Sequence, residues 1–141
     1  MNVKTFRTRS EEETIALGRV LARELPRPSI VLLNGNLGAG KTTLTKGIVE
    51  GLGAADPDEV SSPTYTLIHE YGPSVFHIDL YRLDTAREVA SLGLDELFDR
   101  DDAIVLIEWG DRFPALMPSN RIEVQLTAVA DDREIRVTGL P

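Results

Sequence analysis

One segment of the chain combines glycines, a lysine and a threonine at the spacing of a phosphate-binding loop. Residues 35–42 read GNLGAGKT and match the pattern G-x-x-x-x-G-K-[ST] in full. Glycines let the backbone bend until successive N–H groups point at phosphate oxygens, and a helix that starts at Lys41 directs its positive end at the same anion. The Lys41 ammonium can then reach the β- and γ-phosphates, and the Thr42 hydroxyl can ligate Mg²⁺.

The apolar pattern around this loop predicts the strand and the helix that the motif requires. Residues 29–33 form a continuous apolar run, which is typical of a strand buried on both faces of an α/β sheet. Residues 41–52 place leucine and isoleucine at helical spacing, and Gly53 ends this helix. Because the glycine-rich segment lies between these two elements, its context agrees with a phosphate loop.

The rest of the pattern predicts a single α/β domain over residues 1–141, with a P-loop NTPase-like mixed sheet flanked by helices. One helix begins at Ser10, which forms a capping box with Glu13, and another begins at Asp84 and ends before Gly93. The C-terminal strands form an antiparallel hairpin that turns at residues 131–132. The further predicted strands are 3–8, 66–71, 75–79, 103–107, 121–126 and 134–137.

Composition excludes several classes of protein. The chain has no cysteine, which excludes disulfides, thiolate metal sites and cysteine nucleophiles. Its N-terminus is too polar for a signal peptide and its apolar runs are too short for a membrane span, so we expect a cytoplasmic protein without membrane contact. The net charge of −8 argues against direct nucleic-acid binding, although five arginines occur within residues 7–27.

Two acidic residues end apolar strands and are candidates for the metal site. An enzyme with this loop needs such an acid to hold Mg²⁺ or its water. Asp79 ends the run 75–79, and Glu108 ends the cleaner run 104–108. Both acids can act in the site if their strands lie next to the loop strand. One would then hold the metal, and the other would hold the metal's water or polarise the attacking water. Alternatively, one of them only caps its strand or pairs with an arginine.

Four segments together resemble the TsaE family, the ATPase component of the machinery that makes threonylcarbamoyladenosine in tRNA. Their order and spacing agree across nearly the whole chain, with one departure at Asp111, where the family often has Glu. The resemblance implies ATP as the nucleotide and weak hydrolysis by the chain alone. It also implies a TsaB–TsaD complex as the partner, with tRNA reached only through that complex. The segments are GNLGAGKTT at 35–43, SSPTYTLIHEY at 61–71, HIDLYRL at 77–83 and EWGDR at 108–112.

The resemblance also implies roles for individual residues. Thr42 and Glu108 would be ligands of Mg²⁺, and Asp79 would act on the metal, on its water or in catalysis beside Lys41. Thr64 would lie near the γ-phosphate in a switch-like segment at 61–66, and Trp109 would lie beside the metal. Together with the loop motif, this predicts nucleotide contacts at Ser10, Asn36, Leu37, Gly38, Ala39, Gly40, Lys41, Thr42, Thr43 and Arg133.

Several of these residues also have simpler interpretations. Ser10 can act as a helix cap alone, and Arg133 between two acids is typical of an exposed turn. Trp109 can pack in the interior, and Thr64 after a proline can simply begin a strand. His77, inside an apolar strand, is more typical of a buried, hydrogen-bonded histidine than of a catalytic base.

Two other functions remain open from the sequence. A small-molecule kinase with the same loop would need a second substrate cavity and an arginine-bearing lid, for which the predicted elements leave little of the chain. A nucleotide-gated binding module would use ATP to set the conformation of residues 61–66, with little turnover. The guanine-reading pattern N-K-x-D is absent from the sequence, which favours ATP over GTP.

Overall fold

The structure is a computed structural model of the chain, and it describes residues 2–61 and 67–141. Short 3₁₀ turns at Pro57–Glu59, Gly110–Arg112 and Pro114–Leu116 connect some of the elements. In chain order the strands and α-helices are β1 (Val3–Thr8), α1 (Glu11–Glu24), β2 (Ser29–Asn34), α2 (Lys41–Gly51), β3 (Ile68–Tyr71), β4 (Val75–Asp79), α3 (Ala86–Ala90), α4 (Leu94–Phe98), β5 (Ile104–Glu108), β6 (Ile122–Val129) and β7 (Asp132–Thr138).

A mixed sheet forms the centre of the fold. In the described part of the chain it has seven strands in the order β1-β7-β6-β2-β5-β4-β3. Strand β2 runs parallel to β5 and β6, and β4 runs parallel to β5. The outer pairs β1–β7, β6–β7 and β3–β4 are antiparallel. The predicted α/β class, with a mixed sheet and a C-terminal antiparallel hairpin, is confirmed.

Helices cover both faces of the central strands. On β2, Val31 and Leu33 belong to the core that α1 and α2 cover, whereas Leu32 belongs to a second core that includes α3 and α4. Alternate residues of a strand point to opposite faces, so burial on both sides explains the continuous apolar run that predicted β2. The parallel strands β2, β5 and β4 therefore end at one edge of the sheet, where α2 begins.

Helix α1 packs against α2 through glycines at backbone contact. A Cβ at Gly18 would lie 2.6 Å from the carbonyl oxygen of Leu44, and a Cβ at Gly47 would lie 2.0 Å from that of Ile15. Real Cβ atoms do not approach other atoms so closely, so any side chain at these positions would push the helices apart. This close packing positions the start of α1, at Ser10, relative to the start of α2.

The third helix begins one residue later than predicted. Thr85, and not Asp84, is its N-cap, because the Thr85 Oγ1 accepts a hydrogen bond from the Glu88 N–H at 3.2 Å. The Glu88 carboxylate in turn accepts from the Thr85 N–H at 3.1 Å, which completes a capping box. Gly93, which we expected only as a helix stop, also precedes α4, a short helix that the sequence did not predict.

The C-terminal hairpin turns one residue earlier than predicted. Val129 and Asp132 are paired in the ladder between β6 and β7, which leaves Ala130 and Asp131 as the two-residue loop. Ala130 has a φ of 54°, as the favoured two-residue hairpin turns require. Asp132 belongs to β7, where its carboxylate accepts a hydrogen bond from the Arg7 guanidinium at 2.9 Å.

Strand β3 starts at Ile68, two residues later than predicted, where its ladder with β4 begins at Ile78. Most of the switch-like segment, residues 62–66 with Thr64, lies outside the described residues. Among the helices in residues 2–61 and 67–141, none combines the length and the hydrophobicity that a membrane span requires.

We expect Gly47→Ala to destabilise the fold strongly. The new methyl group would meet the Ile15 carbonyl at 2.0 Å, so the free energy of unfolding should fall by about 3 kcal/mol or more. Urea unfolding followed by circular dichroism measures this loss. Gly53→Ala is the control: its Cβ meets nothing within 4 Å, so only its φ of +71° should contribute, about 1 kcal/mol. Equal losses in the two variants would contradict the packing argument.

Candidate nucleotide site

The phosphate loop connects the end of β2 to the start of α2. Gly38 and Gly40 have φ angles of +79° and +105°, in a region that side-chain-bearing residues rarely adopt. The Ala39 N–H donates to the Asn36 carbonyl at 3.0 Å, which closes a tight turn. The Ala39 methyl is buried in the core, whereas the Leu37 side chain is 68% exposed. The second glycine of the motif, Gly40, thus has a direct conformational reason, and Gly38 provides a further residue with positive φ.

Lys41 is held inside this loop. Its side chain is buried, and its ammonium donates hydrogen bonds to the carbonyls of Gly35 and, at 3.4 Å, of Asn36. The same nitrogen lies 3.7 Å from the centroid of the Trp109 ring, which is a cation–π contact. Burial lowers the pKa of Lys41, while the carboxylates of Glu108 and Asp79 act in the opposite direction.

The two predicted acids lie side by side at the same edge of the sheet. Asp79 and Glu108 are paired in the ladder between β4 and β5, and both are buried. Glu108 is also paired with Leu33 of β2, so β5 separates Asp79 from the loop strand. The Thr42 hydroxyl donates to the Glu108 Oε2 at 3.3 Å. The Asp79 Oδ1 accepts from the Tyr81 N–H at 2.9 Å.

This donor set fits a hard divalent cation that is bound together with a phosphorylated ligand. In residues 2–61 and 67–141, no three His, Cys, Asp or Glu side chains are grouped as metal ligands. Mg²⁺ does not need such a cage, because it is usually held by one or two carboxylates together with substrate phosphates and water. The Thr42 hydroxyl and the Glu108 carboxylate supply oxygen ligands, and Asp79 lies next to them.

A cleft runs over the loop and consists of two connected cavities. The first, of about 380 Å³, lies over Lys41 and is bordered by Asp79, Glu108 and Trp109. The second, of about 270 Å³, is also lined by the loop but not by the two acids. Both are lined by Gly38, Gly40, Thr43 and Glu11, so they form one cleft, and the second is also lined by Ser10, Thr14, Asp131 and Arg133.

The structure brings an N-terminal residue, Ser10, and a residue of the C-terminal hairpin, Arg133, to this cleft. The Ser10 Oγ accepts from the Glu13 N–H at 3.1 Å, so Ser10 caps α1 while it lines the cavity. Arg133 lies in β7 and not in the hairpin turn, and its guanidinium donates to the Gly38 carbonyl at 3.2 Å. Arg133 is therefore anchored on the loop, in contrast to the simpler interpretation of an exposed turn residue.

Sequence reasoning did not select Tyr81 and Glu11, which also line the cleft. Tyr81 is 46% exposed, and its ring lies 5.0 Å from that of Trp109 between centroids. Tyr81 could have been selected from the sequence by its position two residues after Asp79, where the predicted strand has ended. Glu11 follows the cap residue of α1, and only the packing of α1 on α2 brings it to the loop.

The family model described as threonylcarbamoyl adenosine biosynthesis protein TsaE matches residues 8–135. The chain belongs to the TsaE family. This assignment confirms the resemblance drawn from the four sequence segments, and it places the phosphate loop in a nucleotide-binding family of tRNA threonylcarbamoyladenosine biosynthesis. The TsaE match spans β2 with its loop, both acids and Arg133.

Individual relatives agree with this assignment. The tRNA threonylcarbamoyladenosine biosynthesis protein TsaE of Bacillus subtilis is 39% identical over 139 residues, which cover 96% of this chain and 85% of the relative. The protein of the same name from Nostoc sp. PCC 7120 is 44% identical over 123 residues, covering 83% and 74%. The crystal structure of Bacillus subtilis YdiB has a TM-score of 0.78 and 33% identity, covering 99% of this chain and 87% of that one.

We expect the fluorescence of Trp109, the only tryptophan in the sequence, to change when ADP is added. Phosphate oxygens should attract the Lys41 ammonium, which lies 3.7 Å from the ring centroid, and thereby alter the surroundings of the indole. A titration with selective tryptophan excitation measures the change, and its midpoint should agree with calorimetry. Adenosine, which lacks phosphates, is the matched control ligand. An unchanged signal at saturating ADP would contradict this placement of Trp109.

Proposed function

We propose that the chain is a Mg²⁺-dependent ATPase that supports threonylcarbamoyladenosine modification of tRNA with TsaB and TsaD proteins. Residues 1–141 would act as a single P-loop unit. The observation that carries the proposal is the contact of the Thr42 hydroxyl with the Glu108 Oε2 at 3.3 Å, beside the buried ammonium of Lys41. This joins the phosphate loop to a strand-end acid, as ATP hydrolysis requires.

The loop residues would bind and orient the triphosphate. The backbone N–H groups at the start of α2 would face the β-phosphate, and Lys41 would supply a buried positive charge for the β- and γ-phosphates. Ser10 and Arg133 line the second cavity, which the acids Asp79 and Glu108 do not border. The nucleoside would occupy this cavity, so the nucleotide would lie across the loop.

The acids would organise the reacting end. Mg²⁺, when bound, neutralises charge on the β- and γ-phosphates during transfer. Thr42 and Glu108 would hold this ion, and Asp79 would orient water next to it. Attack of water on the γ-phosphorus breaks the bond to the bridging oxygen and releases ADP and phosphate. Thr64 stays a predicted contact of the γ-phosphate, since it lies outside the described residues.

Two exposed hydrophobic side chains at the mouth of the cleft support the involvement of partner proteins. Leu37 is 68% exposed and Tyr81 is 46% exposed, and both line the larger cavity. Exposed apolar side chains mark a binding surface when they are grouped, and these two border the same cavity. A partner that covered them would exclude water from the site and strengthen its electrostatic interactions. The net charge of −8 further favours contact with tRNA through partners.

We expect Lys41→Ala to weaken ATP binding by about ten- to a hundredfold, because a charged hydrogen-bond donor to the phosphates is lost. Isothermal titration calorimetry measures the affinity. Lys46→Ala is the matched control, since Lys46 lies on the same helix and lines neither cavity of the cleft. Equal affinities for the wild type and Lys41→Ala would argue against nucleotide binding at this loop.

Reconstituted tRNA modification tests the whole proposal. TsaB, TsaD, the threonylcarbamoyl donor, tRNA and ATP are combined with either the wild-type chain or Lys41→Ala. We expect sustained modification only with the wild type, and not when ATP is replaced by a non-hydrolysable analogue. Full activity with that analogue would instead favour a nucleotide-gated module. If the chain binds ATP but leaves modification unchanged, its role with TsaB and TsaD is refuted.

A further inference from the structure

The chain has two histidines, and one of them contacts the acid of the candidate metal site. His77 lies in β4 with its side chain completely buried, and its ring Nε2 lies 2.5 Å from the Glu108 Oε2. Glu108 is itself only 3% exposed. His77 is paired with Leu106 in the ladder, so Glu108 is its diagonal neighbour on the same face of the sheet. This contact is thus a consequence of strand register.

The Glu108 Oε2 is shared between this histidine and the phosphate loop. The same oxygen accepts a hydrogen bond from the Thr42 hydroxyl at 3.3 Å. An ionised carboxylate oxygen accepts hydrogen bonds and cannot donate them, which assigns the donor role in this contact to the His77 Nε2–H. The ring Nδ1 is buried and has no hydrogen-bond partner in the described structure. A ring with a proton on Nε2 and none on Nδ1 fits both observations, because buried N–H groups without a partner are rare.

We infer that His77 is a positioning residue, whose Nε2–H fixes the Glu108 carboxylate in the orientation that faces Thr42. The inference rests on the proposed function, in which Glu108 and Thr42 hold Mg²⁺. Hydrogen bonds from outside the ligand shell orient metal-binding side chains and are important for metal affinity. His77 lines neither cavity of the cleft, so it acts through Glu108 and not on the nucleotide.

The second histidine is a matched control within the same ladder. His69 of β3 is paired directly with His77 across the two antiparallel strands. Its side chain is only half-buried, and its Nδ1 lies 3.2 Å from the Tyr71 hydroxyl. Substituting His69 therefore perturbs the same strand pair without removing a hydrogen bond to the acid.

The first test uses the wild-type protein and needs no activity. Nitrogen-15 NMR correlation of the imidazole rings reports which ring nitrogen carries the proton. With two histidines in the chain, His69→Gln assigns the signals. We expect the His77 ring to be protonated at Nε2. An unprotonated Nε2 would overturn the inference, because His77 could then not donate to Glu108.

The second test measures how nucleotide affinity depends on Mg²⁺. His77→Leu removes the donor while it keeps an apolar volume, and we expect the Mg²⁺ concentration for half-saturation to rise about tenfold. Calorimetry with and without Mg²⁺ measures the affinity for ADP. We expect His77→Leu to weaken ADP binding only when Mg²⁺ is present. His77→Gln, whose amide can still donate, should restore much of the dependence, and His69→Gln should leave it at the wild-type value.

The possible outcomes separate this inference from the proposed function. If His77→Leu folds, as judged by its thermal unfolding, and keeps the wild-type Mg²⁺ dependence, the positioning role is refuted while nucleotide binding stands. If His77→Leu does not fold, His77→Asn takes its place, since its shorter amide cannot reach Glu108 as Gln does. Equal Mg²⁺ dependence of the Asn and Gln variants would also refute the role. If the wild type itself binds no Mg-nucleotide, the proposed function fails first.

Discussion

The parallel pairing of β2 with β5 is the constraint on which the site depends. It sets Leu33 opposite Glu108, so the acid ends its strand at the level where the β2 chain turns into the phosphate loop. Packing on both faces keeps this register, because a shift by one residue would exchange the side chains that fill the two cores and would move Glu108 to the opposite face. Pairing of β5 with β4 then brings Asp79 to the same level. The two acids are therefore positioned by the sheet and not by flexible loops.

The packing of α1 on α2 determines which residues line the cleft. Gly47 of α2 lies against the backbone of α1, so these helices are closer than side chains would allow. The result is that Ser10, at the start of α1, lines the same cavity as Thr43 of α2. Arg133 reaches this cavity from the C-terminal hairpin and binds the Gly38 carbonyl. Residues far apart in sequence are thereby arranged around a single loop.

Much of this arrangement could be predicted from the sequence, because it depends on local rules. The loop with Thr42 follows from glycine spacing, and Asp79 and Glu108 follow from apolar runs that end in an acid. Strand order does not follow from such rules, since it depends on the packing of the whole sheet, and only this order shows that Glu108 is next to the loop. The predicted N-cap of α3 was wrong for a local reason. Asp84 and Thr85 are both favourable N-cap residues, and Thr85 is the one with the extended backbone conformation of a cap in the structure.

The buried charges at the end of the sheet indicate what the site requires of a ligand. Lys41 is held by the Gly35 and Asn36 carbonyls and the Trp109 ring, which are acceptors that phosphate oxygens can replace. The affinity of Lys41 for phosphate is therefore the difference between two sets of interactions. The interaction of the ammonium with a dianionic phosphate group must be stronger than its interaction with the neutral carbonyls. Glu108 is similarly held by neighbouring side chains, Thr42 and His77. A ligand that brings phosphate and cation together satisfies Lys41 and the acids at once, whereas phosphate alone would face two buried carboxylates.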